Sequence, residues 1–211
     1  LQITVSKNYL LAVAYSIMKI PRKEVESIRS TRGWLLVYGR RKTGKTFLLR
    51  NFIDHDEYFL VRRDGVIVSG DIHPSRYENI NHFLDHLKHL LIKDKTVILD
   101  EFQRLPDYFQ DEISIMHPNG RLILSGSSFQ MMEKVLSSDS PLLGMLGEVR
   151  IDILDPFDAV ASLKLPPERA VEYGVFLRDP WTIPVFNYKG DFLKDLWGVI
   201  DHSRNAIPRL I

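Results

Sequence analysis

The sequence contains no cysteine among its 211 residues. This absence excludes disulfide bonds, thiolate metal sites and cysteine nucleophiles, and it is typical of a reducing compartment, so we expect a cytoplasmic protein. An excess of charge of one sign is also lacking, because 28 basic and 27 acidic side chains leave a formal net charge of +1. Attraction to nucleic acid or to a membrane surface would therefore have to come from local clusters and not from the total charge.

Long hydrophobic runs are equally scarce. Residues 7–21 contain an apolar run that is too short to span a bilayer. An Ala-Val-Ala triplet lies inside this run, whereas a signal peptide carries such a triplet after its apolar run. We therefore predict a buried helix or strand near the N-terminus, and no membrane as a partner. Because the sequence starts with Leu1 and stops in mid-pattern, we also expect a fragment of a longer protein.

The sequence does contain the alternation of strands and helices that is typical of α/β proteins. Continuous apolar runs at 34–38, 96–100 and 121–125 predict central parallel strands that are covered on both faces. Weaker patterns predict strands at 57–61, 65–70 and 148–154, and helices at 22–30, 76–92, 107–116 and 129–137. From Pro156 onward, short helical patterns are separated by prolines. We predict a core domain of residues 1–155 and a small helical subdomain of residues 156–211.

Residues 39–46, Gly-Arg-Arg-Lys-Thr-Gly-Lys-Thr, fit the Walker A pattern G-x-x-x-x-G-K-[ST], which cradles phosphate groups. Its glycines let the backbone bend tightly and approach the phosphates. Main-chain amides and the positive end of the following helix attract the anion. A chance match is the alternative, but here an apolar strand runs in and a helical pattern runs out. The residues that we predict to bind the nucleotide at this loop are Gly39, Arg40, Arg41, Lys42, Thr43, Gly44, Lys45, Thr46 and Phe47.

Two of these residues have more specific predicted roles. The ammonium group of Lys45 would reach the β- and γ-phosphates, and the hydroxyl of Thr46 would bind Mg²⁺. A second metal ligand is expected at the end of strand 96–100, where open α/β sheets bind their ligands. Asp100 occupies that position and is predicted to hold Mg²⁺, directly or through water. Glu101 follows it and can accept a proton from an attacking water, which favours hydrolysis over transfer to a bulky acceptor. Alternatively, the two acids merely open a loop.

A serine-rich turn follows the third apolar strand, 121–125. Ser125 and Ser127 are catalytic candidates, because a polar group at the tip of a neighbouring strand can hydrogen-bond the attacking water or the γ-phosphate. The alternative is that the serines of this turn cap the next helix.

Together these motifs resemble the archaeal-type family of P-loop ATPases, which is related to the STAND branch and to the AAA+-like ATPases. The resemblance covers most of residues 22–160. It is carried, in family order, by the segments 37–49, 97–106, 122–128 and 140–157.

The resemblance implies a fold and a set of ligands. The expected fold is a three-layer α/β/α sandwich with a mostly parallel, five-stranded sheet in the order 5-1-4-3-2. A small C-terminal helical lid follows it, and usually a winged-helix domain. The implied ligands are ATP and Mg²⁺, with Lys45 and Thr46 on phosphate and metal, Asp100 as the metal-binding acid and Glu101 as the base. By position, Arg22 lies where the family has a helix beside the adenine base, and Glu24 is a second candidate there.

The sequence departs from the family pattern in two respects. The family often has a Gly-Arg pair where this chain has Gly144-Met145. Charge in the transition state must then be stabilised by another group, such as Arg40, Arg41, Arg150 or a residue of a second subunit, and we expect slow turnover. No winged helix follows the lid, so the effector domain that would bind a DNA or protein partner is missing from this sequence or was never there.

Two further clusters have simpler interpretations than a functional site. His82, His86 and His89 have the spacing of metal ligands on a helix, but no acidic partner is compelling and lysines are nearby, so we predict a solvated helix face. Trp181 and Trp197 are most simply the core of the helical lid, although they would also suit contact with a missing domain or a second subunit.

These observations lead to one leading hypothesis and two alternatives. We expect a Mg²⁺-dependent ATPase of modest rate, whose reaction drives a conformational switch of the lid. The first alternative is a nucleotide-gated module that binds DNA or protein with little turnover, which Met145 keeps open. A small-molecule kinase is the second, and Glu101 argues against it. The expected small ligands are ATP and ADP, and the sequence leaves a homo-oligomer open.

Overall fold

The computed structural model describes residues 20, 22–69, 74–116, 119–127, 129–163 and 165–203. The predicted buried segment at 7–21 therefore lies outside the described residues, apart from Ile20. The chain divides into two compact units. One consists of residues 24–152, and the other combines the described residues before 24 with those from 153 onward.

The first unit alternates strands and helices. In chain order its elements, with the helix that leads into them, are α1 (Lys23–Ser30), β1 (Trp34–Tyr38), α2 (Lys45–Phe52), β2 (Glu57–Val61), β3 (Ile67–Ser69), β4 (Ser75–Tyr77), α3 (Ile80–Ile92), β5 (Thr96–Asp100), a 3₁₀ turn (Phe102–Arg104), α4 (Tyr108–Ser114), β6 (Arg121–Gly126), α5 (Phe129–Val135) and β7 (Leu146–Arg150).

Within the described part of the chain, the strands form one seven-stranded sheet in the order β4-β3-β2-β5-β6-β1-β7. The predicted five-stranded sheet in the order 5-1-4-3-2 is therefore wrong. Strands β2, β5, β6, β1 and β7 run parallel to one another, as expected. The two additional strands extend the sheet beyond β2: β3 pairs antiparallel with β2, and β4 pairs antiparallel with β3. Neither of them lies beside β1 or β5.

The boundary between β4 and α3 differs from the prediction of one helix over 76–92. Ser75–Tyr77 pair with β3, and α3 begins only at Ile80. Asn79 has an extended backbone and its side chain accepts a hydrogen bond from the amide of Asn81, so it caps the helix at this point. The predicted strand at 148–154 is also shifted, because β7 pairs with β1 from Leu146 to Arg150.

The apolar residues of the central strands divide between the two faces of the sheet. Leu36, Leu99 and Leu124 are buried on one face, where side chains of α3, α4 and α5 belong to the same core cluster. The alternate residues Leu35, Ile98 and Ile123 are buried against the other face, which α1 and α2 cover. Alternation with a period of two thus produces a three-layer α/β/α unit from continuously apolar strands, as the sequence predicts.

The second unit is helical. Beyond residue 153 it contains α6 (Pro156–Ser162), α7 (Pro167–Phe176), a 3₁₀ turn (Pro180–Val185) and α8 (Phe192–Ser203), as the short helical patterns after Pro156 predict. Its core contains Tyr173, whose hydroxyl donates a hydrogen bond of 2.7 Å to the buried carboxylate of Asp195. The prediction that Trp197 belongs to this core is wrong, because its side chain is 67% exposed on α8. Asp195 and Val199 form the buried side of that helix. None of the described helices is long and apolar enough to cross a bilayer.

Candidate functional site

Residues 39–44, the glycine loop, connect the buried strand β1 to α2. Gly39 has a φ of 153°, and a Cβ atom on this residue would collide with the carbonyl oxygen of Ile151. Gly44 has a φ of 85° and forms the N-terminal cap of α2 without a side chain that could fill the space in front of the helix. Both glycines are therefore required by the backbone path, which directs the positive end of α2 toward the loop.

The cationic side chains of the glycine loop are exposed, whereas that of Lys45, the first residue of α2, is buried. Lys45 is 5% exposed, and its ammonium group donates hydrogen bonds of 2.7 Å to the carbonyl oxygens of Gly39 and Arg40. The side chains of Arg40, Arg41 and Lys42 are exposed around the loop. Small residues, a helix N-terminus and concentrated positive charge fit the chemistry of a polyphosphate group.

Asp100 lies at the carboxyl end of β5 and is 1% exposed. Its Oδ2 atom accepts a hydrogen bond of 2.6 Å from the hydroxyl of Thr46, the second residue of α2. The other oxygen, Oδ1, accepts one of 3.0 Å from the amide of Glu101. The structure therefore brings together the hydroxyl and the carboxylate that the sequence predicts as metal ligands. Both are hard oxygen donors of the kind that Mg²⁺ prefers, so these residues fit that ion.

Three polar side chains surround the carboxylate of Glu101. Together with it they form what we call the Glu101 cluster: Glu101, Gln103, Arg104 and Ser127. Glu101 has a φ of 58°, which places it in the left-handed region. Its Oε2 atom lies 2.9 Å from a guanidinium nitrogen of Arg104 and accepts a hydrogen bond of 2.8 Å from the side-chain amide of Gln103. The Ser127 hydroxyl lies 3.3 Å from the same oxygen. The carboxylate is therefore fixed beside Asp100 by neighbours on the same edge of the sheet.

Comparison with known proteins places this site in a family. A family model described as an AAA domain matches residues 31–151, more than half of the chain. The chain belongs to the AAA domain family. This confirms the resemblance to P-loop ATPases. In the sheet, the glycine loop follows β1 and Asp100 ends β5, and these two strands flank β6.

Individual relatives of this AAA domain are distant or much longer. An uncharacterized protein of Methanocaldococcus jannaschii is 34% identical over an alignment of 130 residues, and the match covers 53% of this chain and 29% of that protein. The chain thus spans less than a third of the curated relative it matches.

Two solved structures share the fold. A Walker-type ATPase of Pyrococcus abyssi is 18% identical, with a TM-score of 0.60 over 90% of this chain and 74% of that one. A STAND protein with a tetratricopeptide-repeat sensor from Pyrococcus horikoshii is 15% identical, with a TM-score of 0.51 over 86% of this chain and 33% of that one.

Ser125 lies between the glycine loop and Asp100 in the sheet of the AAA domain. It pairs with Val37 of β1 on one side and with Asp100 of β5 on the other. The side chain is fully buried, and within the described part of the chain its hydroxyl has no hydrogen-bond partner. A buried hydroxyl without a partner is costly, so this atom fits a role toward a bound group. Ser127 instead belongs to the Glu101 cluster.

Tyr58 is a member of the site that sequence reasoning missed. Its hydroxyl donates a hydrogen bond of 2.6 Å to Oδ2 of Asp100, the same oxygen that accepts from Thr46. Burial raises the pKa of Tyr58 well above its ordinary value, and the neighbouring carboxylate of Asp100 raises it further, so the phenol remains a hydrogen-bond donor. The residue sequence carries no signal for this contact, because it depends on the register between β2 and β5.

The remaining candidate residues have different surroundings. Arg22 is buried but belongs to the second unit and not to residues 24–152. Phe47 is 45% exposed on α2, with its ring edge-on to Phe52. Met145 is half-buried and packs against the apolar core, and Arg150 forms an exposed ion pair of 3.2 Å with Asp152.

The predicted solvated histidine face is exposed at two of its three positions. His82 and His89 are exposed, whereas His86 is half-buried beside the rings of Phe59 and Tyr77. Among the residues that the structure describes, no group of three or more acidic, histidine or cysteine side chains could hold a metal ion.

Proposed function

We propose that the AAA domain binds ATP together with Mg²⁺ and hydrolyses its terminal phosphoanhydride bond. The observation that supports this most directly is the 2.6 Å hydrogen bond between Thr46 and Asp100. It joins the start of α2, directly after the glycine loop, to the acidic end of β5, and Glu101 follows immediately. In this proposal the phosphates lie in the glycine loop, and Arg40, Arg41 and Lys42 add positive charge around them.

The proposed chemistry follows from the side chains present. Lys45 would exchange its two carbonyl partners for phosphate oxygens and stabilise the charge that spreads over them. Thr46 and Asp100 would hold Mg²⁺, which supplies Lewis-acid charge to the phosphate oxygens when bound. Glu101 would accept the proton of the water whose oxygen attacks the γ-phosphorus, while the bond to ADP breaks. Ser125 would donate a hydrogen bond to that water or to the phosphate.

The Glu101 cluster supports a base in a fixed position. Arg104 is anchored at one end, because it donates a hydrogen bond of 2.6 Å to the carbonyl oxygen of Val61 at the tip of β2. Its other terminal nitrogen contacts Glu101 at 2.9 Å. A carboxylate that is held by two neighbours loses less freedom when it has to orient a water.

The second unit is proposed to act as the lid of this AAA domain. In this proposal residues 156–211 change position between nucleotide states and transmit the reaction to a DNA or protein partner. The sensor domain of the solved STAND protein is the kind of further domain that would read such a switch. Arg22 remains a proposed contact of the adenine base, and a homo-oligomer remains compatible with the proposal.

A nucleotide-gated binding module with little turnover is the second candidate function. It is favoured by Met145, whose apolar side chain packs against the core at the position where the family often has an arginine. Without that arginine, hydrolysis lacks a charge that raises the rate by several orders of magnitude in related reactions. Nucleotide binding would then be the main event.

Phosphate release under single-turnover conditions separates the two candidates. We expect the purified chain to release phosphate from MgATP. Glu101→Gln should slow release at least 100-fold and leave ATP bound, because it removes only the proton acceptor. Lys45→Ala should abolish binding. Glu112→Gln, the same change at an exposed position of α4, is the matched control and should behave like the wild type. ATP that binds without phosphate release in both the wild type and Glu101→Gln would support the gated module instead.

A further inference from the structure

We propose that Tyr58 is a positioning residue for the carboxylate of Asp100, and that it makes the response of nucleotide binding to Mg²⁺ stronger. The inference rests on the proposed function, because it concerns the residue that would hold the metal. It assigns a role to a side chain outside the glycine loop and outside the acidic end of β5.

The surroundings of Asp100 show why such a residue is needed. A carboxylate that is 1% exposed has to be satisfied by hydrogen bonds, because burial of an unpaired charge is costly. Three donors meet this requirement. The hydroxyls of Thr46 and Tyr58 both donate to Oδ2 at 2.6 Å, and the amide of Glu101 donates to Oδ1 at 3.0 Å. Two short bonds to one oxygen fix the plane of the carboxylate.

Thr46 and Tyr58 differ in what else they do. The Thr46 hydroxyl would also be a metal ligand in the proposed site, so its contact with Asp100 changes when the metal arrives. The hydroxyl of Tyr58 comes from β2 and is not part of the glycine loop. It can therefore keep Oδ2 in place independently of Thr46, and an orientation that is set in advance costs less on binding.

The ring of Tyr58 is itself held in place from two sides. In the register between β2 and β5, Tyr58 lies opposite Ile98. Asp100 follows Ile98 by two residues, so the side chains of Tyr58 and Asp100 project to the same face of the sheet. Arg50 lies one turn after Thr46 on α2, and its guanidinium group is 4.9 Å from the centre of the Tyr58 ring. Helix α2 thus contacts Asp100 through Thr46 and Tyr58 through Arg50.

The test measures ADP affinity by calorimetry, with Mg²⁺ and with a chelator, in the wild type and in Tyr58→Phe. We expect the gain in affinity that Mg²⁺ produces to fall about tenfold, which corresponds to one hydrogen bond to a charged group. Affinity without Mg²⁺ should stay within about twofold of the wild type. A merely structural role would weaken both affinities in parallel, and that result would overturn the proposal. An unchanged or larger effect of Mg²⁺ would overturn it as well.

Two further variants complete the experiment. Tyr77→Phe removes the same atom from β4, where the ring packs against Phe59 and Phe83, and it should retain the full effect of Mg²⁺. Arg50→Gln keeps the Tyr58 hydroxyl but removes the charge beside its ring, and should reduce the effect of Mg²⁺ about twofold to threefold. If Tyr58→Phe does not fold, an unchanged effect of Mg²⁺ in Arg50→Gln overturns the proposal. A wild-type chain that binds no ADP in either condition would overturn the proposed function, and this assignment with it.

Discussion

Ser125 combines full burial with a hydroxyl that has no partner among the described residues. Leaving such a group unpaired costs roughly 1–3 kcal/mol, so the residue is unfavourable for folding alone. A position that lowers stability beside a predicted catalytic pair is typical of residues retained for function.

Ser125→Ala should therefore separate stability from activity. We expect the free energy of unfolding in urea to stay equal or to rise by up to about 1 kcal/mol, because the unpaired hydroxyl is removed. Single-turnover phosphate release should fall several-fold, because the water or phosphate loses a donor. Ser127→Ala is the comparison variant. Its hydroxyl already contacts Glu101, so its removal should lower the free energy of unfolding. A clear loss of stability in Ser125→Ala would contradict this interpretation.

The same scale shows where sequence reasoning ends. The glycine loop and Asp100 could be predicted because a local pattern specifies each of them, and parallel strands end at one edge of the sheet. Tyr58 could not, because a tyrosine in an apolar strand reads as core. Its contact with Asp100 requires that Glu57 pair with Val97 and Tyr58 with Ile98, and a shift of one residue would turn the ring to the opposite face.

At the scale of secondary structure, strands that form by pairing were harder to predict than strands that form by burial. The apolar segments of β1, β5 and β6 are recognisable in isolation. Strand β4 consists of Ser75, Arg76 and Tyr77, and no apolar pattern marks it. It forms because β3 pairs with it through main-chain hydrogen bonds. The side chains carry no trace of this pairing, and the sequence therefore predicts a helix that begins at residue 76.

The start of β5 depends on a carboxylate that titrates. Hydrogen bonds from Lys95 and from the amide of Thr96 lower the pKa of Asp56 below its ordinary value of 3.8. Because the folded state has the lower pKa, this contribution to stability is complete above the unfolded value and is lost as the pH falls through the folded value.

Asp56→Asn should accordingly lose part of the acid dependence of unfolding. We expect the wild type to be more stable than the variant at neutral pH, and the difference to shrink as the pH falls below about 4. Urea unfolding at several pH values measures this. Asp85→Asn changes the same group at an exposed position of α3 and is the control. A difference that stays constant down to the lowest pH would show that the ionised carboxylate is not the cause.

For the molecule as a whole, the family and the three-layer core were predictable, whereas the extent of the sheet was not. The parallel strands follow from apolar runs that need cover on both faces, and helices on both sides of Leu35 and Leu36 supply it. The hairpin of β3 and β4 adds strands without disturbing that core, so the central pattern contains no trace of it.

The proposed switch is a property of the whole chain and is tested by limited proteolysis. We expect a non-hydrolysable ATP analogue with Mg²⁺ to change the rate of cleavage within residues 153–203, because the lid would differ between nucleotide states. Cleavage within residues 24–152 should be slowed by ligand binding alone. Lys45→Ala should show neither effect. Equal cleavage of the lid with and without analogue, in a chain that binds it, would rule out the switch.

The short strand β4 also affects how copies of this chain behave at high concentration. A sheet margin is a template on which foreign strands can add, and long apolar margins seed fibres. Among the described strands, the outermost one on this side has three residues, and Ser75 and Arg76 are both exposed. An incoming peptide would find room for only a few main-chain bonds and would have to accommodate a charged side chain. At high protein concentration, copies of this chain should therefore resist aggregation through the β4 edge of the sheet.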